Sequence, residues 1–350
     1  MIGHQQHNVV SRRRTTGHGI ICPVLALLGL YIFSSSFFLA KRSMSHTSSC
    51  DEARLLLRDT LGLTEDEIKK TLSFDKSSGC WTDRRVDSMV IIVVDALRFD
   101  FALHHLPMSV GARLQNSTLS SQLLRFVADP PTVTMQRLKG LTTRGLPTFA
   151  DISASFGGAN VDEDSWVQQL ANRHSKLAFV GDDTWIDLFP TQFEDSHPFP
   201  SFNTRDLDSV DNGCLQHLPR LMEHLRRDDR KDGFEVVVAH FLGVDHVGHT
   251  YGPHNMHMDA KLKQMDAVLS TVLDVLDGAS TQSCHAALIF GDHGMTEGGN
   301  HGGGTEDEIN AALFTHFSPG CGDMRAAIVS NAMNHNIFHG IHLTFLLLSV

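Results

Sequence analysis

Short apolar runs punctuate the chain, and each ends in a polar turn. Residues 89–94, MVIIVV, are apolar without alternation and are followed at once by Asp95. Residues 176–180 form a second run, followed by Gly181-Asp182-Asp183-Thr184-Trp185. In FEVVVAHFLG, residues 234–243, the apolar pattern continues to Leu242 and breaks at Gly243. Residues 286–290 form another run, ending in Gly291-Asp292-His293-Gly294, and AALF at 311–314 is strand-like. Apolar runs with little alternation suit parallel strands covered on both faces. Between them, Leu262, Met265, Val268, Leu269, Val272, Leu273 and Leu276 recur at helical spacing, and residues 135–141 read as a helix after the prolines of DPP. Strands alternating with helices predict an α/β fold with a mostly parallel sheet flanked by helices.

Such sheets bind ligands at the carboxyl ends of their strands, and this chain puts metal-competent side chains there. Asp95 follows one predicted strand, Asp245 and His249 follow another, and Asp292 and His293 follow a third. His301 lies in the glycine-rich stretch Asn300-His301-Gly302-Gly303-Gly304. Asp245 and His249 are four apart, which brings both to one side of a turn or helix start. Alone, Asp95 reads better as a helix cap or turn residue than as a ligand. Together the set supplies three carboxylates and three imidazoles, enough for two zinc-like ions with open positions for substrate oxygen. Two such ions can clamp both oxygens of a phosphoryl displacement. Thr134 falls near a predicted helix N-terminus, where an anion is favoured. It is there either a cap or a nucleophile activated by a metal. Asp182 and Asp183 sit near the same cleft, with at least one expected to serve a turn.

The first residues follow a different pattern. Residues 20–40 carry no charge, long enough to span a bilayer. Arg12, Arg13 and Arg14 precede them and Lys41 and Arg42 follow. The reading is a cytosolic tail at 1–19, a transmembrane anchor at 20–40 and a stem at 41–85 on the far side, with a cleaved signal peptide as the alternative. Thr64 and Glu67 make a capping-box pattern in the stem. Asn116-Ser117-Thr118 is a glycosylation sequon, which suits a lumenal domain. The formal net charge of −11 argues against a nucleic-acid partner. Six cysteines are scattered without CxxC spacing, so no structural zinc site of that kind is expected, and any pairing is left open.

The segments VVDALRFDF, PPTVTMQRLKGLTT, GDDTWIDLFP, FPSFNTRDLDSVDNG, AHFLGVDHVGHTYGPH and FGDHGMTEGGNHGG, in this order, resemble the alkaline phosphatase superfamily. Within it they are similar to the glycosylphosphatidylinositol (GPI) ethanolamine phosphate transferases, and most to those that modify the third mannose. The resemblance runs from about residue 85 to about 317. It implies an alkaline-phosphatase-like catalytic domain at 86–323 in the endoplasmic reticulum lumen. One divalent ion, zinc in this family, would sit on Asp245, His249 and His301. The second would sit on Asp95, Asp292 and His293, with Thr134 as its oxygen ligand and as nucleophile. Thr134 would take ethanolamine phosphate from phosphatidylethanolamine and pass it to a mannose of the GPI precursor. A small membrane partner subunit is also implied. Two departures stand out. Thr142-Thr143-Arg144-Gly145 replaces the family's usual TTGS. The likeness also fades after His316, so residues 324–350 read as a divergent tail and the chain as a truncated form lacking the last core elements. The competing functions are a hydrolytic phosphodiesterase or phosphatase on the same ions, and an inactive truncated product.

Overall fold

The computed structural model describes residues 7–37, 47–49, 58–59, 62, 64, 66–67, 86–116, 121–143, 145–146, 160–173, 175–225, 233–322 and 337–339. Most of the stem, most of the tail, Arg144 and the side chain of Asn116 lie outside the described residues. In chain order the elements begin with α1 (His7–Phe37), β1 (Ser88–Val94), α2 (Phe99–His105) and α3 (Ala112–Asn116). They continue with β2 (Ser121–Val127), α4 (Thr134–Thr143), α5 (Trp166–Asn172), β3 (Leu177–Asp182), α6 (Thr184–Leu188) and β4 (Asp195–Phe199). Next come α7 (Ser209–Leu225), β5 (Val236–Phe241), α8 (Gly243–Tyr251), α9 (Met256–Asp277) and β6 (His285–Phe290). Last are α10 (Glu306–Ile309), β7 (Asn310–Phe317) and β8 (Ile337–His339).

The described strands form one eight-stranded sheet in the order β4-β3-β5-β1-β6-β7-β2-β8. Strand β1 pairs in parallel with β5 and β6, and β3 pairs in parallel with β5 and β4. Only β7 runs the other way, antiparallel to both β6 and β2. The carboxyl ends of β1, β2, β3, β5 and β6 therefore open on one edge of the sheet. The mostly parallel sheet read from the apolar runs is what the chain forms. Strands β2 and β4 escaped that reading because neither is a continuous apolar run: SQLLRFV and DSHPF are only half-buried. Strand β8 falls within the tail and pairs with β2, so that segment adds a strand to the sheet.

Both faces of the sheet are covered, which is why β1, β3, β5 and β6 need no polar side. On one face Val90, Ile92 and Val94 pack with Leu218 and Leu221 of α7 and Leu262, Leu269 and Leu273 of α9. On the other, Met89, Ile91 and Val93 pack with Leu138 of α4, Trp166 of α5 and Trp185 of α6. The periodic residues of α9 are mostly buried, as their spacing predicts. A disulfide joins Cys284, just before β6, to Cys321, just after β7, while Cys22 and Cys214 are free. Thr64 and Glu67 form the expected reciprocal hydrogen bonds.

The expected membrane anchor is not found as a full span. Helix α1 covers residues 7–37, and the described apolar side chains along it, such as Leu25, Leu27 and Tyr31, are exposed. Among the described residues no helix is long and apolar enough to cross a membrane.

Gly181 ties β3 to β5 at the edge that carries the site. Its φ is +128°, and an added Cβ would collide with the backbone carbonyl of His240. Gly181→Ala is therefore expected to cost at least about 2 kcal/mol through backbone strain and forced strand separation. Urea unfolding of the two proteins checks this, and an unchanged midpoint would contradict it.

Candidate metal centre

The seven residues singled out in the sequence converge at the carboxyl edge of the sheet. Asp95 leaves β1, and the chain turns so sharply there that Ala96 takes φ of +57°, an uncommon value for a residue with a Cβ. The Ala96 N–H donates to Asp292 Oδ1 at 3.2 Å, which couples this turn to the loop after β6. Asp245 and His249 lie one turn apart on α8, with Asp245 Oδ2 and His249 Nε2 separated by 3.4 Å. His301 comes from the loop before α10. That loop is held by Gly303 N–H and the Thr305 N–H and hydroxyl, all donating to Glu308.

Two groups of donor atoms result. In the first, His301 Nε2 is 3.0 Å from His249 Nε2 and 3.5 Å from Asp245 Oδ1. In the second, His293 Nε2 is 3.4 Å from Asp95 Oδ1 and 3.3 Å from Asp292 Oδ2. Ligands on a tetrahedral zinc with bonds of about 2.1 Å stand about 3.4 Å apart. The rings of His293 and His301 stack at 4.0 Å between centroids, so the groups are neighbours. Thr134, the first residue of α4, directs Oγ1 to Asp95 Oδ2 at 3.3 Å, with His293 Nε2 at 3.5 Å.

The residues fit cations by three further signs. Asp95 Oδ1, Asp245 Oδ1 and Asp292 Oδ2 are buried without a hydrogen-bond partner among the described residues. Such orphaned buried oxygens are costly unless something else meets them. His301 Nδ1 donates to the Thr132 carbonyl at 2.6 Å, and His293 Nδ1 donates to the Gly294 carbonyl at 2.8 Å. This bond to a carbonyl fixes the tautomer and leaves Nε2 with a free lone pair, as metal-ligating histidines require. Finally, the lone pairs of His301 and His249 face each other at a distance that only a proton or a cation between them relieves.

The electrostatics point the same way. Burial first, then the like charges of Asp292, Asp245 and Asp182, push the Asp95 carboxyl well above its usual range. Burial also acts to raise Asp292, but His293, His240 and the Ala96 N–H outweigh it and hold that carboxyl below its usual range. Without a cation the pair relieves its repulsion by keeping a proton on Asp95. Burial depresses the His293 imidazole to about 4.

Several supporting residues had no role in the sequence reading. Asp211 Oδ1 accepts from the backbone N–H groups of Leu242 and Gly243, at 3.0 Å each, and so holds the start of α8. Lys261 on α9 compensates it, with Nζ 3.0 Å from Asp211 Oδ2. The Asp206 carbonyl accepts from His246 Nδ1 at 2.7 Å. The stretch NTRDLDSVDNG thus docks the helix that carries Asp245 and His249. Arg137, three residues past Thr134, donates through Nε to the Asp292 carbonyl at 2.8 Å. His240 sits inside β5 and is fully buried; one polar residue within VVVAHF was its only signal. Of the paired carboxylates after β3, Asp183 serves the turn by accepting from the Ser201 N–H and hydroxyl. Asp182 faces a cavity of about 220 Å³ that Asp95, Thr134, Phe202, Asp245, His249 and His301 also line.

A parallel sheet with paired aspartate–histidine groups at its carboxyl edge suits two-metal phosphoryl chemistry. Residues 151–339 match the type I phosphodiesterase / nucleotide pyrophosphatase family, and the chain belongs to it. Asp95 and Thr134 lie before the matched stretch. The chain is 39% identical over 307 residues to the catalytic subunit of GPI ethanolamine phosphate transferase 3 of Homo sapiens, covering 83% of this chain and 26% of that protein. It is 37% identical over 299 residues to GPI ethanolamine phosphate transferase 3 of Schizosaccharomyces pombe, covering 82% of this chain and 30% of that one. The chain thus spans between a quarter and a third of the length of these relatives. Its fold is similar to that of lipooligosaccharide phosphoethanolamine transferase A from Neisseria meningitidis, with a TM-score of 0.55 at 11% identity over 100% of this chain and 71% of that one.

The depressed His293 makes a testable statement about the metal-free protein. Its imidazole is neutral in the fold down to about pH 4, against 6.5 ordinarily. Between those values the unfolded chain binds the extra proton. The stability this group contributes is complete above pH 6.5 and is lost as pH falls through about 4. In chelator, urea unfolding at about pH 4.5 and about pH 6.5 should show a smaller stability difference for His293→Gln than for the natural protein. Equal differences would contradict this.

Proposed function

We propose that this chain carries the catalytic domain, residues 86–323, of a GPI ethanolamine phosphate transferase. In this reading Thr134 takes ethanolamine phosphate from phosphatidylethanolamine and passes it to a mannose, the third, of the GPI precursor. The observation that carries the reading is the Thr134 hydroxyl at the head of α4, within 3.3 Å of Asp95 and in one cavity with Asp95, Asp245, His249 and His301. The identity to two transferases named for this reaction supports the donor and the acceptor class.

The first step forms a bond between Thr134 Oγ1 and phosphorus and breaks the bond to diacylglycerol. The Thr134 proton leaves past Asp95 Oδ2, which its hydroxyl faces, and ends on the departing glycerol oxygen. In the second step a mannose hydroxyl attacks the same phosphorus, the bond to Thr134 Oγ1 breaks, and the mannose proton restores the Thr134 hydroxyl. Asp245, His249 and His301 would hold one divalent ion, and Asp95, Asp292 and His293 the other. Such ions, zinc by donor type, supply Lewis acidity and lower the pKa of a hydroxyl. Helix α4 directs its free N–H groups and positive dipole end toward the anionic phosphoryl group.

The location is part of the proposal: the endoplasmic reticulum, with the domain in the lumen. The Cys284–Cys321 disulfide supports an oxidising compartment. A partner subunit is proposed from the human relative being named a catalytic subunit. Expressed in a eukaryotic membrane system, the protein should carry a glycan on Asn116. Glycosidase digestion should shift its mobility, and Asn116→Gln should abolish the shift.

Thr134→Ala is expected to abolish transfer while leaving about two zinc ions per chain, because six ligand side chains remain. The measurement is covalent labelling by a phosphatidylethanolamine donor labelled in its headgroup, with metal analysis of the same samples. Label retained in the mutant would remove Thr134 as nucleophile. Release of free phosphoethanolamine without transfer to a sugar would identify water as the acceptor and the protein as a phosphodiesterase.

A further inference from the structure

Asp182 is a carboxylate in the cavity that neither aspartate–histidine group uses. It is 1% exposed, yet it lines the cavity with Thr134 and Asp95. Its Oδ1 accepts from the Thr184 N–H at 2.8 Å. Among the described residues no hydrogen bond reaches Oδ2, whose neighbour is His240 Nδ1 at 3.4 Å. That nitrogen has no proton to offer. It already accepts from Trp185 Nε1 at 3.1 Å, so the His240 proton is on Nε2, facing Asp95 Oδ2 at 3.5 Å.

The same tautomer rules on a third metal ion. Asp95, Asp182 and His240 place ligand atoms within 4.8 Å of one another. A metal there would need a lone pair from His240, but Trp185 takes the one on Nδ1 and a proton covers Nε2. The charges say what is missing instead. Two dications balance Asp95, Asp245, Asp292 and one phosphodiester anion. Asp182 is then left without a cation, and the described residues lining the cavity include no lysine or arginine.

Phe202 completes the site. Its ring is 79% exposed on the rim of this cavity. Ser201, beside it in the chain, is pinned to Asp183 at 2.7 Å, and Phe202 and Asp182 line the same cavity. A carboxylate below and an aromatic face at the rim suit an organic ammonium, which gains from both.

We propose that Asp182, with Phe202, is the subsite for the ammonium of the headgroup whose phosphate Thr134 attacks. The proposal rests on the transfer reading above and names the group that selects its donor. Two carbons separate ammonium from phosphate in ethanolamine phosphate. Asp95 lies between the two ends: one of its oxygens is within 4.8 Å of an Asp182 oxygen, its Oδ2 is 3.3 Å from Thr134 Oγ1, and all three residues line one cavity.

The test is calorimetric binding to the full zinc-loaded chain of phosphoethanolamine and of n-propyl phosphate, which has a methyl group in place of the ammonium. The natural protein should bind phosphoethanolamine about 10- to 100-fold more tightly, the range for a hydrogen bond to a charged partner. Asp182→Asn should remove that preference and leave n-propyl phosphate binding and zinc content as they were. Phe202→Leu should reduce the preference severalfold. Equal binding of both ligands by the natural protein would overturn the proposal. So would an equal loss for both ligands in Asp182→Asn. A zinc content one ion lower in Asp182→Asn would make Asp182 a metal ligand and overturn it as well. Selective binding of phosphoethanolamine without transfer to a glycolipid would uphold the subsite and reject the transfer reading.

Discussion

Buried negative charge at one edge of the sheet is the constraint on which the rest of this protein depends. Asp95, Asp182, Asp245 and Asp292 are all nearly inaccessible and lie around one cavity region. A carboxylate taken out of water costs several kcal/mol unless it is paired. Among the described residues no lysine or arginine side chain forms an ion pair with any of these four. The fold surrounds them with imidazole nitrogens whose lone pairs point inward, and with a few N–H donors that leave other oxygens open. An arrangement of this kind is stable only when cations complete it, and the raised pKa of Asp95 records the strain when they do not.

The sheet is built to hold that charge still. Five parallel strands bring their carboxyl ends to one edge, and apolar residues on both faces leave the strands no freedom to shift. A second layer fixes the loops. Asp211 and Lys261 hold the first turn of α8, Arg137 ties α4 to the loop after β6, and Glu308 closes the glycine-rich loop around His301. The bonds of Asp211, Arg137 and Glu308 end on backbone atoms of ligand-bearing segments, and Lys261 balances the Asp211 charge. The ligand side chains are thereby left to face the cavity and not one another's backbones.

This division also explains what was legible in the sequence. The strands β1, β3, β5 and β6 are apolar runs because both faces are buried, and the polar residue after each run marks the ligand edge. Asp95, Asp245, His249, Asp292 and His293 could be found in that way, and His301 by its glycines. Strands β2 and β4 could not, because a half-covered strand such as DSHPF has no run to recognise. The second layer was illegible for a different reason. Asp211 is one of several acids in NTRDLDSVDNG, and nothing local tells which of them turns inward to meet Lys261, 50 residues away. The apolar stretch near the N-terminus shows the reverse limit: its length in sequence suggests an anchor, whereas no helix among the described residues is long and apolar enough to cross a membrane.

Asp182 and Asp183 show why residue type alone stops short of function. They are adjacent, chemically identical, and sit at the same strand end. One lies where Ser201 can reach it with both an N–H and a hydroxyl, and that carboxylate is spent on holding a loop. The other meets a single N–H from Thr184, and the imidazole beside it has its Nδ1 lone pair already engaged by Trp185. Its remaining oxygen therefore stays available to whatever enters the cavity. The difference between the two is set by donors on α6, by the loop after β4 and by a buried histidine one position from the end of β5. What makes one aspartate structural and the other a candidate for binding is the count of protons aimed at it, and that count exists only once the sheet is assembled.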